Sequence, residues 1–475
     1  MKVEQTTLPG KYHDAVLHWQ RHNFPDYDLL PENWQKYFPN DPEFCLCTKM
    51  ELNMGETIEV GEHQGEKRRE SPGELGLEPA KHLLAIIRAQ ASTEFGSIQQ
   101  HEGTLARAQE EEDRMWVLRV MAEELRHGYQ MLHLLVSQDW SGVSEQSAEE
   151  MVEEILSMKT GSHVLDAFNL EYDSFVDNVV FAALIDRVGK YQLSMQRVCS
   201  YKPFAQSMPP MLREEAFHLA AGVIPMRRWV QRAAQGNPLI TTAAIQKSIN
   251  KWLPRGLEMF GHEKGGDSNV RYGFKTMRNA EAQQQYYEEC GRVVADLNQR
   301  YIRARLPQLP PGEAEALAAR LLRDRGRQDG ISHDDLLGLP DRRFFRRKGE
   351  PAWAMVGVHG EDFSDAEEYV RHLSHHLPEP YLHSHDMKRY VETLKQVATG
   401  AITPDQAAKK MPALKRVGGV CPCSRSVRWV VECQGGAIPR PGVPRPSQAI
   451  TGARLSGRSS SEYQGGTPEF RRTVA

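Results

Sequence analysis

The chain has 475 residues, 26% of them charged, and a net charge of only −4. That length suggests one large domain with additions, or two to three domains, and the balance gives no ground for nucleic-acid or membrane binding. No apolar run approaches a membrane span, the N-terminus lacks a signal-peptide core, and seven scattered Cys without a Cys-x-x-Cys fit a reducing cytoplasm better than a disulfide or zinc frame.

Residues 1–78 show little periodicity. Trp19, Phe24, Trp34, Tyr37 and Phe38 are spaced among Pro and Asn, which predicts short helices in irregular chain, docked by their aromatics. A long helix is predicted over about 78–107, with Leu83, Ile86, Ile87, Ala91, Glu94 and Ile98 on one stripe. Gly96 and Gly103 fall inside it, for close packing, for room beside a substrate, or as a plain irregularity. A second helix is predicted over about 110–137, opening on the acidic turn Glu110 to Asp113. A short helix follows at 149–158 and a third long one at about 162–200. Pro203, Pro209 and Pro210 then read as a break. A fourth helix is expected over about 210–235, kinked by Pro225, and a fifth over 240–252.

Within these helices, Glu124 and His127 stand three residues apart in Glu-Glu-Leu-Arg-His, and Glu215 and His218 repeat the spacing in Glu-Glu-Ala-Phe-His. On a helix, positions i and i+3 point the same way. Of the eighteen His, only these two have Glu three residues before them. Glu94 precedes Glu124 by thirty residues and Asp186 precedes Glu215 by twenty-nine. In antiparallel pairs turning near 109 and 200, each couple would meet at equal depth. Glu123 and Glu214 lack the shared spacing and read as decoys; Asp173 and Asp177 compete with Asp186 but miss the depth of Glu215. Four buried carboxylates would cost several kcal/mol each if unpaired. Two divalent metals would cancel them, with two neutral His completing the shell, a donor set suited to iron or manganese. The pattern predicts an all-α fold, a ferritin-like four-helix bundle with additional helices at both ends.

These two segments, with Trp252 to Pro254, Met259-Phe260-Gly261 and Gly273-Phe274-Lys275, resemble the oxygenase subunits of bacterial aryl-CoA epoxidases over about residues 80–310. Those enzymes act on benzoyl-CoA or phenylacetyl-CoA, and the length beyond the bundle is more similar to the benzoyl-CoA 2,3-epoxidase. The resemblance implies that Glu94, Glu124, His127, Asp186, Glu215 and His218 hold two Fe ions. It implies a diiron monooxygenase that uses O2 to epoxidise the ring of an aromatic acyl-CoA. Electrons would come from a separate reductase carrying the NAD(P)H, flavin and iron–sulfur functions, since no such motif occurs here. Rivals with the same ligands are an arylamine N-oxygenase, a ribonucleotide reductase radical subunit, for which Tyr129, Tyr172 and Tyr191 are positional candidates, and an iron store or scaffold.

Farther on, 279–302 is amphipathic and 306–312 is a Pro-rich break. The basic clusters 320–327 and 342–348, the second with Phe344 and Phe345 between its charges, read first as solvated faces and second as contacts for coenzyme A phosphates or a reductase. His372, His375, His376, His383 and His385 read as surface residues rather than a metal site. Thr403-Pro404-Asp405 predicts a capped helix start. The expected division is an extension at 1–78, the bundle at 79–310, a helical appendage at 311–417 and a disordered tail at 418–475, whose abrupt composition also fits a shifted reading frame.

Overall fold

The computed structural model describes residues 2–345 and 355–410. The fold is all-α apart from two small two-stranded sheets. The chain opens with β1 (Val3–Thr6), α1 (Gly10–Asn23) and α2 (Leu29–Tyr37), and β2 (Thr48–Glu51) returns antiparallel to β1 with Val3 opposite Glu51. This strand pair was not foreseen from the sequence, because neither strand alternates polar and apolar residues and two helices separate them. Trp19, Phe24, Trp34 and Phe38 are buried, and the Trp19 ring meets Phe95 edge-on at 4.8 Å.

The bundle consists of α3 (Leu77–Leu105), α4 (Glu111–Val136), α6 (Phe175–Gln196) and α7 (Lys202–Ala234), with α5 (Ala148–Ser157) in the crossover. α3 packs along α4 and α6 along α7, and α3–α6 and α4–α7 contacts close the bundle. Leu83, Ile87, Ala91 and Ile98 of the predicted α3 stripe are buried. At Gly96 a Cβ would come within 2.8 Å of the His163 ring, so that glycine serves close packing, whereas nothing lies within 4 Å of Gly103.

Three boundaries differ from expectation. α6 starts at Phe175, not near 162. Asn169 captures the preceding segment by accepting the Gly161 and His163 N–H groups and donating to His163 O. α7 starts at Lys202 and runs through Pro209, Pro210 and Pro225. Only Pro203 sits in the tolerated first turn. Burial of Phe204, Ala205, Met208 and Met211 offsets the roughly 3 kcal/mol that each interior proline costs. Likewise α8 (Thr242–Met259) passes through Pro254, anchored by Arg255, which donates to Phe345 O at 2.8 Å.

Beyond it come α9 (Asp267–Arg271), α10 (Asn279–Arg305), α11 (Pro311–Asp324), α12 (Ala366–His376), α13 (Glu379–Leu382), α14 (His385–Ala398) and α15 (Pro404–Lys410), the last with Thr403 accepting the Gln406 N–H. Phe344 and Phe345 are core residues, not part of a basic surface. His372 accepts the Val358 N–H, and the His residues of this region converge on no common point that could hold a cation, among the described residues. Residues 346–348 and the expected tail from 418 lie outside the described residues.

Asp173 and Asp177 have a structural task. The buried Lys251 ammonium reaches Asp173 and Asp177, each at 3.0 Å, while Ser248 Oγ and Trp252 Nε1 donate to Asp177 Oδ1 at 2.6 and 2.8 Å. This knot ties α8 to the start of α6 and accounts for the Trp in the Trp252 to Pro254 motif. Removing one partner strands buried charge. Lys251→Met is expected to lower stability by about 3–5 kcal/mol in urea unfolding, and an unchanged midpoint would contradict this.

Candidate metal centre

Glu94 comes from α3, Glu124 and His127 from α4, Asp186 from α6, and Glu215 and His218 from α7. All six meet at mid-bundle. One donor atom each from Glu94, Glu124 and His127 lie within 4.8 Å of one another, as do donors from Glu124, Asp186 and His218. Bonds of about 2.0–2.2 Å put the ligands of one cation at most about 4.4 Å apart, so little closure is needed. Glu124 belongs to both trios: its Oε2 is 3.6 Å from His127 Nδ1 and its Oε1 is 3.4 Å from His218 Nδ1. Glu215 Oε2 lies 3.6 Å from His218 Nδ1. Both rings are fully buried, and Glu124, Asp186 and Glu215 are buried beside them.

Gly189 makes room for this cluster. A Cβ there would stand 2.8 Å from Glu215 Oε1. At Gly222 the backbone of α7 approaches so closely that a Cβ would meet the Ala183 backbone of α6.

The two residues that spacing set aside hold the histidines from behind, crosswise. His127 Nε2 lies 3.0 Å from Glu214 Oε2 on α7, in hydrogen-bonding geometry. His218 Nε2 lies 3.2 Å from Glu123 Oε2 on α4, at ion-pair distance but off the hydrogen-bond axis. Each pairing favours a proton on Nε2 and turns the Nδ1 lone pair toward the carboxylates. Glu214 is itself gripped by Arg126, whose Nε donates at 2.6 Å, and by Lys49 of β2 at 2.8 Å. Glu123 accepts from Arg119 Nε at 2.9 Å, and Arg119 stacks over Phe217 and Phe38 with its guanidinium carbon 3.9 and 4.9 Å from the ring centres. Sequence reasoning missed these roles, since Lys49 and Glu214 are 165 residues apart. The available signal was the doubled Glu-Glu in both motifs.

Charge explains the donor set. Glu123 and Glu214 have Arg119, Arg126 and Lys49 as partners, but Glu94, Glu124, Asp186 and Glu215 have no Lys or Arg among the described residues. Burial, then the charge of Glu124, pushes the Glu94 and Asp186 carboxyls well above the usual range, and burial also raises Glu215. Burial opposes ionisation of Glu124 too, but the adjacent Glu94 carboxyl and the His127 and His218 rings hold it well below that range. Burial resists charge on His218, yet its contacts with Glu123, Glu124 and Glu215 raise it. Glu124 Oε2, Asp186 Oδ2, Glu215 Oε2 and both Nδ1 atoms have no hydrogen-bond partner. Such a convergence of unsatisfied acceptors is what two divalent cations would satisfy.

The carboxylate side of the cluster is also the floor of a cavity of about 220 Å³. Glu94, Glu124, Asp186 and Glu215 line it, with Ile86, Leu165, Phe168, Ile185, Leu193 and Met259 as apolar walls; the histidines stay behind. Cavities of about 150 Å³ with apolar walls accept a benzene ring. Of the three tyrosines, Tyr129 accepts the Leu8 N–H and meets His13, and Tyr191 donates to Glu289. Tyr172 lies 3.5 Å from His101 and also feels the charges of Asp186 and Glu124.

Residues 76–305 match the phenylacetic acid catabolic protein family. Benzoyl-CoA oxygenase component B of Aromatoleum evansii is 30% identical over 179 residues, 38% of this chain and 37% of that protein. The match thus spans little more than a third of the relative's length. No helix among the described residues is long and apolar enough to cross a membrane.

The crosswise pairs generate a prediction. Glu214→Gln is expected to lower metal affinity about 10- to 100-fold through His127, and Glu123→Gln to do the same through His218, with the fold retained. Competition against a chelator measures this, and unchanged affinity in both would remove their orienting role.

Proposed function

We propose that this protein is the oxygenase component of a diiron aryl-CoA epoxidase and that benzoyl-CoA is its substrate. The observation that carries the reading is the opening of a ring-sized cavity with apolar walls on part of its surface directly onto the carboxylate face of the donor cluster. The family match and the likeness to a benzoyl-CoA oxygenase component support it, as does the donor set, which fits iron better than zinc. Glu94, Glu124, His127, Asp186, Glu215 and His218 would hold two iron ions.

Iron held there would supply the reduction of O2 and the insertion of one oxygen atom into the ring, with electrons from a separate NAD(P)H-dependent reductase. The chain's own residues do the rest. Leu165, Phe168 and Met259 keep water from the ring, and Ile86, Ile185 and Leu193 seat it against the carboxylate floor. Glu123 and Glu214 keep both Nδ1 atoms aimed inward throughout.

A single-turnover experiment tests this without the partner. Iron-loaded protein is reduced chemically, freed of reductant, and mixed with benzoyl-CoA and isotopically labelled dioxygen. One labelled oxygen in the CoA ester is expected, and background only from Glu124→Ala. Label in phenylacetyl-CoA alone would reassign the substrate. Iron oxidation with no labelled ester from either would overturn the oxygenase reading and leave the storage or scaffold rival.

A further inference from the structure

Lys275, from the Gly273-Phe274-Lys275 motif, lines the cavity over the donor cluster. Its Nζ donates to Gln192 Oε1 at 2.6 Å. No carboxylate pairs with it among the described residues, and burial pushes its ammonium down to about 8. An ammonium has three donors, so Gln192 leaves two unclaimed. Other polar atoms in the cavity are also unsatisfied: Ser97 Oγ, Gln90 Oε1 and Gln196 Oε1 are buried without hydrogen-bond partners, and Ser97 and Gln196 are 2% and 4% exposed. Such a group is costly unless something that enters the site completes it.

The backbone that carries Lys275 is fixed. Ser200 N–H donates to Gly273 O at 2.8 Å, Ser200 Oγ to Tyr272 O at 2.7 Å, and Phe274 N–H to Asn269 O at 2.8 Å, while His82 holds Asn269 at 2.7 Å. Gly273 has φ +73°, and a Cβ there would meet Val60 O at 2.8 Å, so the position requires glycine. A long flexible side chain thus starts from a rigid root, three segments deep.

Spacing along α6 sets the ligand's shape. Asp186, Gly189, Gln192 and Gln196 step along one face and all line the cavity. Gln192, which Lys275 touches, is six residues from Asp186, about 9 Å along the axis. Gly189 adds no side chain of its own to the interval, and the Glu215 carboxylate borders it there. The site therefore offers metal donors at one end, apolar walls, and a cation with two open donors held by Gln192, farther along α6. An aryl thioester has this layout, an apolar ring joined directly to a carbonyl oxygen. We infer that Lys275 is a substrate-positioning residue whose ammonium, braced by Gln192, hydrogen-bonds the thioester carbonyl oxygen of the bound aryl-CoA and so fixes which ring edge faces the carboxylate floor. This rests on the aryl-CoA reading above.

The test compares two ligands on the full chain: benzoyl-CoA, and benzyl-CoA, the thioether without the carbonyl. For Lys275→Met the dissociation constant of benzoyl-CoA is expected to rise about 10- to 100-fold, with that of benzyl-CoA nearly unchanged. Lys275→Gln keeps a neutral donor and is expected to fall between. The infrared stretch of carbonyl-labelled benzoyl-CoA should lie lower on the wild-type protein than on Lys275→Met. Equal losses for both ligands, or loss for neither, with no infrared difference would overturn the inference and leave the aryl-CoA reading standing. Binding of neither ligand to the wild-type protein would overturn both. Should Lys275→Met fail to fold, Lys275→Gln with the same ligand pair decides.

Discussion

Two crosswise contacts, Glu214 with His127 and Glu123 with His218, govern what the middle of this bundle can do. An imidazole has two nitrogens and only one can face the cluster as a lone pair. By engaging Nε2 from the opposite helix, each glutamate commits Nδ1 to the interior. The same contacts stitch α4 to α7, so ligand orientation and helix packing are one arrangement. A shift of either helix would misaim a histidine.

The rest of the chain serves this constraint. The N-terminal extension supplies Lys49 to Glu214, Asp41 to Arg119, and the aromatic bed of Trp34 and Phe38 on which Arg119 lies. The C-terminal side supplies Lys251 and Trp252, which lock the start of α6, and Lys275, which overlooks the cavity. Charge is thereby sorted. The carboxylates behind the histidines have basic partners, and the four in front have none among the described residues, so the front set favours cations.

The bundle helices were legible because periodicity over more than twenty residues survives local noise, as the buried stripe of Leu83, Ile87, Ala91 and Ile98 shows. The six converging residues were within reach because helices convert sequence spacing into a common face, and equal distance from a turn into a common depth. What stayed hidden depended on distant partners. Proline read as a breaker at 209, 210 and 254 because propensity is local, whereas the burial that overrides it is supplied by neighbouring helices. Asp177 looked like a competing ligand until Lys251 arrived from 74 residues away. Glu123 and Glu214 looked like decoys because an outward-leaning glutamate beside a motif has no visible partner in one dimension.

These six residues would hold two metal ions, each through a histidine Nδ1. A crystal structure of the iron-loaded protein, with anomalous scattering recorded at the iron edge, tests this arrangement most directly. Two peaks are expected, one near His127 Nδ1 and one near His218 Nδ1. A single peak elsewhere, or coordination through Nε2 with Glu123 and Glu214 turned away, would contradict it.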